Sequence, residues 1–138
     1  MRNSVTLRFS AKSTNESFAR ISAAAFVAYL DPTIETISDI KTSVSEAVTN
    51  SIIHGYEGKK GIICMSLSIN NDVLTIRICD KGKGIKDIKE AMTPLFTSKP
   101  DLERSGMGFT VMENFMDTLD VKSAPGKGTS VTMTKRII

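Results

Sequence analysis

The chain contains no Gly-x-x-x-x-Gly-Lys-Ser/Thr segment, which excludes a P-loop as its means of holding a nucleotide. It has no block of five like charges, and its net charge of +3 is spread along its length, which argues against nucleic acid as a direct ligand. Cysteine is scarce: Cys64 and Cys79 are the only two, and both fall inside apolar strand patterns. That excludes a disulfide framework and suggests core thiols in a reducing cytosol. No stretch approaches the roughly 18 apolar residues of a membrane span, and the N-terminus lacks the long apolar run of a signal peptide. A soluble, cytoplasmic protein with no membrane partner is expected. Internal repeats, low-complexity tracts and linkers are also missing. What is left, 138 residues, fits one domain spanning 1–138 that is long enough to bury a core.

Val5, Leu7 and Phe9 alternate with polar residues and predict a half-buried first strand. Ser13-x-x-Glu16 is a capping-box pattern, so a helix is expected from about Thr14, with Phe18, Ile21, Ala25 and Ala28 as its buried stripe. Asp31-Pro32 interrupts it. A second helix is expected from about Thr33 to His54, with Ile37, Ile40, Val44, Ala47 and Val48 facing the core and Gly55 and Gly58 ending it. Strands at about 62–70 and 73–79 flank a hairpin turn at Asn70-Asn71-Asp72. Ile85 to Ser105, with two prolines and a possible helical turn near Ile88–Met92, is expected to be a long loop, and loops of that length in a compact domain are usually either disordered or functional. A helix from about Phe109 to Met116 and a hairpin turning at Pro125–Gly128 complete the chain. This order argues for an α/β (α+β) fold, a two-layer sandwich with helices on one face of a mixed, mostly antiparallel sheet.

Three short patterns carry the chemistry. Glu46, Asn50 and His54 lie at i, i+4, i+8 and share one helical stripe, distinct from that of Val44, Ala47 and Val48. Such a stripe can be a solvated polar face. It can also offer the Asn50 side-chain oxygen to Mg²⁺, with Glu46 one turn away to take a proton from an attacking hydroxyl. His54, at the helix C-terminus, suits a cap. Asp80 ends a strand and opens Asp80-x-Gly82-x-Gly84. Asp there can set an Asx turn. It can equally accept a hydrogen bond from the exocyclic amine of adenine, with Gly82 and Gly84 letting the backbone approach the base and Ile85 covering one face. Gly106-Met107-Gly108 precedes a helix, where backbone N–H groups form an anion site or simply a flexible start. Arg104 and Lys99 lie nearby and could reach a γ-phosphate, Arg104 being preferred for its proximity. The Thr129 hydroxyl could join Asp80 at the adenine edge, although strand propensity also explains a threonine there.

Together these residues resemble the GHKL superfamily of ATPases and kinases, whose shared ATP-binding sandwich is the Bergerat fold. Glu46-Ala47-Val48-Thr49-Asn50 matches its N box, Asp80-x-Gly82-x-Gly84 its first glycine box and Gly106-x-Gly108 its second. The resemblance implies Mg²⁺ on Asn50, the catalytic base at Glu46, adenine on Asp80 and a nucleotide lid between the glycine boxes. Five longer segments are similar to the anti-sigma F factor family, stage II sporulation protein AB of endospore-forming bacteria. They are Phe18-Ala19-Arg20, Ser45 to Asn50, Ile53-His54-Gly55-Tyr56, Pro94-Leu95-Phe96-Thr97 and Glu103 to Phe109. That similarity covers essentially the whole chain, departing only in a short connection from Tyr56 to Ile62. It implies a homodimer that binds ATP, holds sporulation sigma factor F away from core RNA polymerase, and phosphorylates a serine of an anti-anti-sigma factor. Arg104 would help neutralise the transferred phosphoryl group. A complete sensor histidine kinase is disfavoured, because no dimerisation-phosphoacceptor hairpin is present.

On the first helix, Glu16, Arg20 and Val27 lie off the expected buried stripe. Glu16 and Arg20, at i and i+4, can simply pair with each other; arginine is also enriched in interface hot spots, and Arg20 is read as a contact for both protein partners. The dimer surface is expected to involve the first helix and first strand. Two other functions share most of these motifs: a nucleotide-gated sigma-binding module without useful kinase chemistry, and an anti-sigma kinase of the general stress response.

Overall fold

The computed structural model describes residues 2–92 and 108–138. Its strands are β1 (Arg2–Ser10), β2 (Ile62–Asn70), β3 (Val73–Asp80), β4 (Thr118–Ala124) and β5 (Gly128–Arg136). They form one sheet in the order β1-β2-β3-β5-β4, and every pairing is antiparallel. Its helices are α1 (Thr14–Val27), α2 (Ile34–Asn50), α3 (Ile88–Ala91) and α4 (Gly108–Phe115). Helix α2 packs on α1 along one side and α4 along the other. This is the two-layer sandwich expected, with the sheet wholly antiparallel among the described residues.

Strand alternation builds the core. Ile63, Met65, Leu67 and Ile69 of β2 and Leu74, Ile76 and Ile78 of β3 point to the helical face and are buried. Register aligns them: Leu67 lies opposite Ile76, and Ile76 opposite Met133 of β5. Ile40, Val44, Ala47 and Val48 of α2 meet this surface, together with Phe109 and Met112 of α4. The β2–β3 hairpin turns where expected, with Asn71 in the left-handed region at φ 58°. The cysteines depart from expectation. Cys64 and Cys79 lie opposite each other on the sheet face turned away from the helices, and both are half-buried free thiols. They alternate with core residues, so pleating puts them on the other side.

Two expectations for α1 are corrected. Its buried stripe is Ala19, Ala23 and Val27, whereas Phe18 and Ile21 are 50% and 57% exposed and Ala25 and Ala28 are exposed too. Small side chains at i, i+4 and i+8 let α1 sit close on α2, and that closeness decides which face is covered. Val27 is therefore core, not a surface residue. Phe18 retains one contact, its ring edge-on to Phe9 at 6.5 Å. The capping box is also not formed. Ser13 has helical φ and ψ and its side chain makes no cap bond; a side-chain cap requires an extended residue there. Thr33, which is extended, does cap α2 by accepting from Thr36 N–H at 3.1 Å.

Past Asn50, α2 widens into a π-turn over Ser51–Gly55, closed by Tyr56 N–H donating to the Ser51 carbonyl at 2.9 Å. Such wide turns often mark functional sites. This one faces the end of β3.

Candidate functional site

The C-terminal half of α2, the π-turn, the end of β3 and the start of α4 enclose a cavity of about 700 Å³. That volume suits a small-molecule ligand. Asn50, Ser51 and His54 line one wall, Asp80, Gly84 and Ile85 another, and Gly108, Thr129 and Val131 close it from α4 and β5.

Asp80 is 7% exposed, and three donors hold it. Ser51 Oγ donates to Oδ2 at 2.8 Å. The Gly82 backbone N–H donates to Oδ1 at 2.9 Å and the Thr129 backbone N–H to the same oxygen at 3.3 Å. The Gly82 bond makes the Asx turn that sequence also allowed, so the turn and the cavity-facing carboxylate coexist. A carboxylate offers about four acceptor positions, so three donors leave capacity for one more from the cavity. Thr129 serves Asp80 through its backbone, because its hydroxyl is engaged with Ser123 Oγ at 2.8 Å.

The glycines of the turn have a reason beyond ligand access. A Cβ on Gly82 would collide with the Gly55 carbonyl, and one on Gly84, where φ is +78°, with the Ala124 carbonyl. Lys83 N–H donates to that same Gly55 oxygen at 2.9 Å. These glycines thus let the β3 turn seat on the π-turn and on the β4–β5 hairpin; of the two, Gly84 also lines the cavity. Ile85 follows it into the lining, its N–H held by Ser123 Oγ at 2.7 Å.

At the other end, Gly108 draws the remaining pieces together. The place its Cβ would occupy is 3.1 Å from Glu46 Oε2, 3.1 Å from Asn50 Nδ2 and 3.2 Å from Asn50 Oδ1. A carboxylate, an amide and a helix N-terminus therefore meet at one point, although α2 and α4 are far apart in sequence. No group of three His, Cys, Asp or Glu side chains suited to a metal occurs among the described residues. The Asn50 side-chain oxygen is a hard donor of the kind Mg²⁺ takes, and one such protein ligand would be enough to hold that ion beside an anionic ligand. Arg104, Gly106 and Met107 lie outside the described residues, as does Lys99. Glu16 and Arg20 are on α1, away from the cavity lining. They pair with each other at 3.5 Å, and Arg20 also donates to Ser17 Oγ at 3.2 Å.

Ser51 and Ser123 were not singled out from sequence. Ser51 did leave a signal: it lies four residues after Ala47 on the buried stripe of α2, where a hydroxyl needs a polar partner. Ser123, on a strand next to a hairpin turn, left none.

Residues 9–135 match the family model of the histidine kinase-like ATPase domain. The chain is 60% identical over 135 residues to the anti-sigma F factor of Clostridium beijerinckii, covering 97% of this chain and 94% of that protein. It is 62% identical over 135 residues to the anti-sigma F factor of Thermoanaerobacter sp. strain X514, with 98% and 94% covered. With that of Clostridium acetobutylicum it shares 57% over 136 residues, covering 99% and 95%. Its fold is similar to the crystal structure of the RsbU and RsbW domains of a Mycobacterium tuberculosis protein, with a TM-score of 0.70 at 20% identity. The match covers 98% of this chain and 32% of that longer one.

Proposed function

The chain belongs to the anti-sigma F factor family and carries a histidine kinase-like ATPase domain, and from that premise we propose that it binds and inhibits sporulation sigma factor F and, as an ATP-dependent serine kinase, phosphorylates and inactivates the anti-anti-sigma factor. The observation that carries the kinase reading is the convergence of Glu46 and Asn50 on Gly108 at one end of a cavity whose other end presents the Asp80 carboxylate.

In this reading the adenine amine donates to Asp80, and Ile85 lies against the base. The phosphates reach the N-terminus of α4, where the first-turn N–H groups have no partner within the helix and favour negative charge. Mg²⁺ held by Asn50 would offset charge on the phosphate oxygens. Arg104 and the Gly106–Gly108 backbone supply further donors to the terminal phosphate. Glu46 takes the proton of the partner's serine hydroxyl as its oxygen bonds to the γ-phosphorus. The bond from that phosphorus to the bridging oxygen breaks, and ADP leaves with the electron pair. A module that only captures a partner does not need a carboxylate one turn from the proposed metal ligand.

Incubating the chain with labelled ATP, Mg²⁺ and its cognate anti-anti-sigma factor tests this. Label is expected on a serine of the partner. Glu46→Gln should keep ATP binding and lose transfer by roughly the 10²–10⁴-fold typical of a general base. Unaltered transfer in the variant would remove Glu46 as base. No transfer by the unmodified chain, despite ATP binding, would leave a nucleotide-gated binding module. Capture of a stress-response sigma factor in preference to sigma F would move the chain to that pathway.

The protein is further proposed to work as a cytoplasmic homodimer joined through the exposed side of α1 and β1, where Phe18, Ile21 and Val5 leave apolar surface uncovered. Sedimentation equilibrium at micromolar concentration should return twice the chain mass; a monomer mass would remove the dimer.

A further inference from the structure

Asp80 is held by a clamp whose side-chain donor, Ser51, lies outside the glycine turn. The π-turn over Ser51–Gly55 brings two features onto the carboxylate at once. Ser51 Oγ lies 2.8 Å from Oδ2, and the bare Cα of Gly55 lets the turn close, since a Cβ there would stand 3.0 Å from the carboxyl carbon. Ser51 is itself buried, at 6% exposure, and it lines the same cavity as Asp80. A hydroxyl has one proton and two lone pairs. With its proton committed to Asp80, Ser51 has only acceptor capacity left.

We propose that Ser51 is a specificity-determining positioning residue of the nucleotide site: by holding Asp80 Oδ2 it makes this cavity wall acceptor-only and so selects a 6-aminopurine over a 6-oxopurine. The proposal rests on the reading of Asp80 as the adenine contact. Adenine presents an amino donor at its 6-position and guanine a carbonyl acceptor. Against Oδ2 and the Ser51 lone pairs, the amine is satisfied and the carbonyl meets acceptors only. Unpaired polar groups of this kind give strong discrimination. Removing the hydroxyl changes that. Water can take its place, give one proton to Asp80 and still offer its second to a guanine carbonyl, so the wall no longer excludes the wrong base.

The test is the ratio of GTP to ATP dissociation constants, measured by calorimetry with Mg²⁺ on the full chain and on Ser51→Ala, Ser51→Thr and Asp80→Asn. Thermal melting of each variant checks that it folds. Ser51→Ala is expected to lower the ratio about tenfold, the scale of one hydrogen bond gained by the guanine carbonyl, chiefly by tightening GTP. Ser51→Thr, which keeps the hydroxyl, should restore most of it. Should Ser51→Ala not fold, Ser51→Cys, a weaker donor of similar size, is read in the same way. A ratio unchanged within about twofold, or equal weakening of both nucleotides, would overturn the proposal, because a merely structural serine has no base preference. Asp80→Asn separates the two readings. If it collapses the ratio while Ser51→Ala does not, only the role of Ser51 fails. If it leaves the ratio intact, Asp80 is not at the base and both fail.

Discussion

Ser43 shows how the environment of a single residue sets its energetic role. It sits on α2 with 0% exposure, and its Oγ has no hydrogen-bond partner among the described residues. A buried, unpaired hydroxyl is unfavourable, and alanine has the higher helix propensity. Ser43→Ala is therefore expected to stabilise the fold by about 0.5–1 kcal/mol in urea unfolding monitored by circular dichroism. A loss of stability would show that the hydroxyl has a partner in solution. Ser51 is the contrasting case, a buried serine on the same helical stripe whose hydroxyl is engaged. Both were visible in sequence as polar residues among apolar ones, but the difference between them was not. It depends on whether a strand end 29 residues further along the chain delivers a carboxylate to the hydroxyl. Asp80, Asn50 and Glu46 are legible as candidates because their spacing suits one chemistry, and the fold brings Glu46 and Asn50 together at Gly108. Thr129 adds a contact that no local pattern encodes: its backbone N–H donates to Asp80 at 3.3 Å.

Among the elements, strands were more legible than helix faces. Alternation in β2 and β3 leaves one way to bury Ile63, Met65 and Leu67, since a shift of one residue would expose them all. Helix α1 has two candidate stripes, one of large apolar residues and one of alanines ending in Val27. Hydrophobicity favours the first; the close approach of α1 to α2 selects the second. Ala23→Leu should consequently destabilise the domain by about 1–3 kcal/mol through overpacking, measured by the shift in its urea midpoint. An effect below about 0.5 kcal/mol, the range of surface substitutions, would place Ala23 on an open face. The π-turn was likewise unreadable. An i, i+4, i+8 pattern predicts an α-helix through His54, whereas the widening after Asn50 answers a tertiary demand, that Ser51 and Gly55 both close on Asp80.

For the whole molecule, the proposed functions separate in space. Nucleotide chemistry is proposed for the cavity between α2, β3 and α4, and protein recognition for α1. Arg20 and Glu16 form a half-buried i, i+4 pair on α1, bordering its covered stripe, and helix pairs at that spacing contribute only about 0.3–0.5 kcal/mol, so either residue can be recruited by a partner at little cost. Arg20→Ala is expected to leave folding and ATP affinity unchanged while weakening binding to both sigma factor and anti-anti-sigma factor by about tenfold or more, as for an interface hot spot. Surface plasmon resonance with each partner measures this, and full affinity for both would remove Arg20 from the interface. The amino-acid sequence by itself determined the fold class, the alternation along the strands and the residue types of the candidate site, because periodicity and turn chemistry act over a few neighbouring residues. Tertiary structure alone decided which face of α1 is covered, that α2 ends in a π-turn, that Ser51 clamps Asp80, and that Gly108 meets Glu46 and Asn50. Each of these depends on how closely two segments distant in the chain can approach, and such closeness is set by packing that no local pattern encodes.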